Sequence, residues 1–181
     1  DPVQWWNDLM QEALQGTLAQ KTEAQRDQMR HNLDLISGLM TGASAAMLST
    51  SLIGCLMLGR WWQGLLYNPG GFAEEFRRIR MGRPLTLGLL VVVALMSVTE
   101  ARQIYQDMVF VLVVPFAVQG LSVVHALVKQ RKMHSGWLTA LYVLLFIATG
   151  QMALLLAFVG AVDNWFDFRR FFGPNDGAGE V

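Results

Sequence analysis

The sequence predicts an all-α, polytopic integral membrane bundle, and three observations predict it. Four long apolar runs carry no charge in their cores. Only 15% of the residues are charged, against about 25% in soluble domains, and the mean hydropathy is +0.34. Aromatic and basic side chains gather where the apolar runs end, as they do at the two faces of a bilayer. A single Lys or Arg at the centre of a span costs about 2.5–3.5 kcal/mol, so four uncharged cores in one chain point to lipid rather than to a soluble core.

The elements follow in order. Residues 1–34 read as an amphipathic, then polar, helical segment. Asp1-Pro2 suits an N-cap followed by Pro at the first helical position, and Trp6, Leu9, Met10, Ala13, Leu14 and Leu18 recur at helical spacing. Gly16 is a mild interruption, and Gln20 to Arg30 is almost wholly polar. The pattern predicts a helix lying at the membrane and then a polar stalk. The membrane domain covers 35–168. Its first span is "LISGLMTGASAAMLSTSLIGCLMLG", Leu35 to Gly59, and a crossing needs about 20 apolar residues. The second, Pro84 to Val98, is short and spans only by borrowing helix from Met81–Arg83 and Thr99. The third is Met108 to Val128 and the fourth Trp137 to Val162. Gly38, Gly42 and Ala46 form a small-residue row on the first span, with Ala45 and Ser49 beside it, which lets another helix approach closely. The tail 169–181, ending "GPNDGAGEV", is polar and Gly-rich and is expected to be disordered.

Between the first two spans lies "GRWWQGLLYNPGGFAEEFRRIRMGRP". Arg60, Trp61, Trp62 and Tyr67 are the expected aromatic and basic belt at the end of the first span. Asn68 before Pro69 disfavours helix, and Pro69-Gly70 fits the central pair of a type II turn. Phe72, Phe76 and Ile79 then fall on one helical face, with Arg77, Arg78 and Arg80 on the polar side, which predicts an interfacial helix at about 72–81. Glu74 stands four residues before Arg78, the favourable order for an ion pair within that helix. The first connection, and the third with Lys129, Arg131 and Lys132, are the basic ones, so the positive-inside rule puts both in the cytoplasm. The Arg169-Arg170 pair and Lys21, Arg26 and Arg30 count against that orientation.

The side chains able to carry chemistry are few. Gln119 and Gln151 are the polar side chains deepest in the spans, and Pro115 interrupts the third. They read either as interhelical hydrogen bonds and a change of shape, or as the lining of a solute site. His125 fits a satisfied histidine near a span end, and His31, His125 and His134 are too scattered to form a metal site. Glu100, Arg102 and Asp107 suggest a local ion-pair network at one membrane edge, which Asp163 and Asp167 are expected to share. Fourteen Lys and Arg balance fourteen Asp and Glu, which argues against nucleic acid held by bulk charge. The single Cys55 forms no intrachain disulfide. No HExxH, GxSxG, Walker A or Gly-rich phosphate loop occurs, so neither an enzyme nor a cofactor is expected. The chain opens on Asp, which fits either a processed N-terminus or the later part of a longer protein.

The block "WWQGLLYNPGGFAEEF", Trp61 to Phe76, with the closing "DNWFDFRR", resembles the YybS-like bacterial integral membrane family, also called domain of unknown function 2232. The resemblance extends over essentially the whole chain and corresponds to the C-terminal part of the family, with a further membrane region ahead of it. It implies a bacterial inner-membrane protein, in contact with lipid and with other membrane proteins or its own N-terminal half. The family is grouped with the solute-binding components of energy-coupling-factor vitamin transporters and with rod-shape membrane proteins. That grouping implies a helical bundle and no catalytic or binding residue. Two functions stay open: a transport-related protein holding a small solute, or a non-catalytic scaffold acting through protein contacts.

Overall fold

The computed structural model describes residues 1–171, and every regular element among them is helical. The expected tail from 172 onward lies outside the described residues. Helix α1, Pro2–Ala19, starts as its sequence predicts: the Asp1 carboxylate accepts from the Val3 backbone N–H at 3.0 Å. It does not lie alone. The chain turns at Gln20–Thr22 and α1 folds back along the polar start of α2, Glu23–Tyr67. Arg26 donates to the last carbonyls of α1, those of Leu18 and Ala19, and Asn7 bonds Asp34 across the pair. The stalk, the first span and the Trp61-Trp62 belt are therefore one helix of 45 residues.

At Asn68 the expected turn forms. Gly70 takes φ +87°, and the Gly71 N–H donates to the Asn68 carbonyl at 3.0 Å, the arrangement that favours glycine at the third turn position. The helix after it, α3, spans Gly71–Phe76 and stops there. This corrects the helix expected at 72–81. Past Phe76 only turn bonds continue, from the Arg78 N–H to the Glu75 carbonyl and from the Ile79 N–H to the Phe76 carbonyl. The Arg77 and Ile79 carbonyls bond Arg169 instead, and Gly82, at φ +81° and ψ 162°, blocks any continuation. The same glycine limits α4 to Arg83–Val98, so no helix is borrowed from Met81 or Gly82, and Pro84 sits in its first turn. At 1.5 Å per residue α4 is about 24 Å long, against about 30 Å of hydrocarbon.

Helix α5, Arg102–Gln130, runs unbroken through Pro115. The fourth apolar run is not one helix: α6, Gly136–Ile147, and α7, Thr149–Phe166, meet at Ala148, whose φ −124° and ψ 52° are non-helical. A β-branched Thr149 and Gly150 directly after the break are weak helix formers. A four-residue helix α8, Phe168–Phe171, follows Asp167. Among the described residues, two helices are long and apolar enough to cross a membrane, α2 and α5, while α4 and α6 are apolar but shorter.

Helix α5 is the hub, packing mainly on α7, α2 and α4. Gly38 on α2 meets Gln103 and Gln106, and Gly42, one turn on, meets Asp107 and Phe110. Numbers rise together, so α2 and α5 run in the same direction, with the small-residue row as their seam. Gly120 instead faces Leu156 while Gly160 faces Phe116, so α5 and α7 approach backbone to backbone where they cross. The three residues 99–101 return α4 beside α5 in the opposite sense. The core is narrow, centred on Phe116, Val123, Leu156 and Ala157. Outside it, large apolar side chains such as Met47, Leu56, Leu90, Phe146 and Phe158 stand exposed along the helices, the surface a bilayer covers.

Candidate functional site

The residues between Phe76 and Arg83, 77–82, form a linker without helix, so most of its backbone groups need partners elsewhere. Three elements supply them. On α5, Ser122 donates its hydroxyl to the Phe76 carbonyl, and the Gln119 carbonyl oxygen accepts from the Met81 N–H at 2.9 Å. On α8, the Arg169 guanidinium donates to the Arg77 carbonyl at 2.6 Å and to the Ile79 carbonyl at 2.8 Å. At the end of α7, Arg83 donates to the Asn164 carbonyl at 3.2 Å, and Arg80 pairs with Asp167.

A buried polar network backs this clamp. Gln119, Ser122, Thr86 and Asp163 are each at most 1% exposed, and Arg169 is 9% exposed. The Gln119 amide donates to Asn164 Oδ1 at 2.9 Å, and the Asn164 amide donates to the Thr86 hydroxyl at 2.7 Å. Asp163 lies 3.6 Å from Arg169 and accepts from the Phe168 N–H at 3.0 Å. Asp167 takes the left-handed conformation, φ 45°, that ends α7 and turns the chain towards the linker. The Arg80 guanidinium, through its hydrogen bond, holds the Asp167 carboxyl below the usual carboxylate range against the opposing effect of burial. Burial lowers the affinity of Arg169 for its proton, Asp163 opposes that effect, and the neighbouring Arg80 adds to it.

Beside the clamp lies a cavity of about 360 Å³ between the linker, the end of α5 and α8, lined by Arg77, Arg78, Arg80, Lys129 and Arg169 with Glu74. Arg80 and Arg169 have carboxylate partners. Arg77, Arg78 and Lys129 form no ion pair among the described residues, and the pair expected between Glu74 and Arg78 is absent because α3 ends before Arg78. Arg60 pairs with Glu75 instead, and also donates to Gln63.

The residues singled out by sequence are thus divided. Arg77, Arg78 and Arg80 meet at the cavity. Trp61, Trp62 and Tyr67 are exposed at the end of α2, at 45%, 61% and 85%. Gln119 is buried and engaged by the linker and α7, Pro115 is half-buried within α5, and Gln151 is exposed on α7, so these three do not come together. His125 is satisfied: its Nδ1 donates to the Leu121 carbonyl at 2.8 Å, its Nε2 accepts from the Tyr142 hydroxyl at 3.2 Å, and Phe76 packs edge-on against the ring. Asp163 and Asp167 do not join Glu100, Arg102 and Asp107; they belong to the clamp. No cluster of His, Cys, Asp and Glu suited to a metal ion occurs among the described residues. Sequence reasoning missed Asn164 and Arg169 as site residues. Their signal was the polar "DNWFDFRR" directly after an apolar run.

The fold and the clamp join the two motifs that are the most distinctive in the sequence. A family model described as "predicted membrane protein (DUF2232)" matches residues 3–164. The chain belongs to that family. The match runs from the first turn of α1 to Asn164, taking in the linker and the buried Gln119, Ser122 and Asp163. No curated protein and no solved structure matches the chain. Membership in a membrane protein family agrees with the exposed apolar surface of α2, α4 and α6 and with their contact with lipid.

Proposed function

We propose that this chain is a multi-pass protein of the bacterial inner membrane that binds a small solute at the linker recess without catalysing a reaction. Three crossings, α2, α4 and α5, account for the first three apolar runs. The fourth is a helix pair, α6 and α7, that begins after Lys129 and ends before Arg169, two residues of the same recess, so it enters and returns on the linker side. The linker end is cytoplasmic, since Arg169 joins the linker's cations and so no longer counts against the positive-inside rule. The observation that carries the reading is the cavity itself. Its volume of about 360 Å³ falls within the size range of small-ligand pockets, and its polar groups converge from three elements. The resemblance to solute-binding components of vitamin transporters supports a transport-related role, with the recess rather than Gln119, Gln151 and Pro115 as the solute site.

A second reading, a scaffold that binds another membrane protein, is favoured by Gln151. It is an exposed amide on an apolar helix, and a polar group facing outward in a membrane helix is best satisfied by a neighbouring helix. Native mass spectrometry of the full-length protein, extracted gently from its own membrane, separates the two. A stoichiometric small molecule supports solute binding. A co-purifying protein with no small molecule replaces it with the scaffold.

A further inference from the structure

Resting on the solute-binding reading of the same recess, we infer that its ligand is a phosphate-bearing anion, held by Arg77, Arg78 and Lys129 over Arg169. Five cations and one carboxylate, Glu74, line the recess. Arg80 and Arg169 are matched by Asp167 and Asp163, which leaves three cations with no anionic partner among the described residues. Like charges confined to one concave wall repel each other, and a dianion removes more of that repulsion than a carboxylate does. Phosphate oxygens also match the fork of donors that arginine presents.

Arg169 supplies the independent observation. It is nine-tenths buried, its two terminal nitrogens bond the linker carbonyls, and its Nε has no hydrogen-bond partner. A buried donor without an acceptor is costly in a folded protein, and this one belongs to a side chain that lines the recess. The clamp thus fixes Arg169, while Arg78 and Lys129 stand exposed at the recess and free to close on a ligand. The phosphate could belong to a soluble solute or to the headgroup of an anionic lipid beside the linker. The recognition chemistry is the same for both.

The test uses the full-length protein in nanodiscs of phosphatidylcholine, titrated calorimetrically with inorganic pyrophosphate. Binding is expected, weakened about fivefold by Arg78→Gln and by Lys129→Gln, with Arg30→Gln, remote from the recess, unchanged. Both recess variants remove exposed cations that have no partner to orphan, and circular dichroism verifies that they fold. Repeating the titration in discs containing phosphatidylglycerol identifies the source. Suppressed pyrophosphate binding assigns the site to a lipid headgroup, and unaltered binding assigns it to a soluble phosphate. The proposal is overturned if pyrophosphate does not bind and phosphatidylglycerol is not enriched around the protein, or if binding ignores both recess variants. A neutral molecule retained in the native mass spectrum, with no pyrophosphate binding, would sink the phosphate assignment and leave the solute-binding reading standing.

Discussion

Gln119 shows how much one side chain does here. Its amide accepts from the Met81 N–H and donates to Asn164, so it ties the linker, α5 and α7 at one point with no exposure to solvent. Gln119→Leu keeps the volume but leaves the Met81 N–H and the Asn164 side-chain Oδ1 without it. The expected loss is about 1–3 kcal/mol for each buried group left unsatisfied, read as a lower unfolding midpoint in detergent. An unchanged midpoint would mean that water or lipid reaches the linker and replaces the amide. The sequence marked Gln119 as a deep polar residue but not its partners, because Met81, Asn164 and Asp163 lie 38 to 45 residues away along the chain. Polar spacing within one helix carries no information about such contacts.

At the scale of elements, α5 and α7 touch backbone to backbone. A Cβ on Gly120 would overlap the Leu156 carbonyl, and one on Gly160 would overlap that of Phe116. Gly120→Leu and Gly160→Leu are expected to destabilise by about 1–3 kcal/mol or more through overpacking. Gly16→Ala, with open space around it, should be neutral or stabilise by up to about 1 kcal/mol. Thermal melts of the three variants check the contrast, and equal effects at all three positions would deny the close seam. The small-residue row of α2 was legible in the sequence as a packing face, and Gly42 against Asp107 and Phe110 bears it out. The extents of α3 and α4 were less so. Periodicity carried an amphipathic helix on to Ile79, but the Phe76, Arg77 and Ile79 carbonyls bond Ser122 and Arg169, and Gly82 adopts a conformation that no helix contains. Tertiary hydrogen bonds overrode a local preference worth only tenths of a kcal/mol per residue.

Across the whole molecule, the two most distinctive sequence blocks, at 61–83 and 163–170, form one unit at the cavity although α4, α5, α6 and most of α7 separate them in the chain. Hydropathy made the membrane class legible, and Trp61 and Trp62 lie inside the last two turns of α2, which runs on to Tyr67. The recess was not legible, because its walls come from a linker read as a surface helix and from a C-terminal pair read as a separate end. Its cationic character depends on that assembly. The most direct measurement is cross-linking in native membranes of full-length protein carrying Arg80→Cys and Asp167→Cys in a Cys55→Ala background, with Arg80→Cys and Asp107→Cys as the comparison pair. The first pair should join efficiently through a short bifunctional reagent while the comparison pair stays open. No cross-link at 80 and 167, or equal yield from both pairs, would contradict a linker clamped to the end of α7.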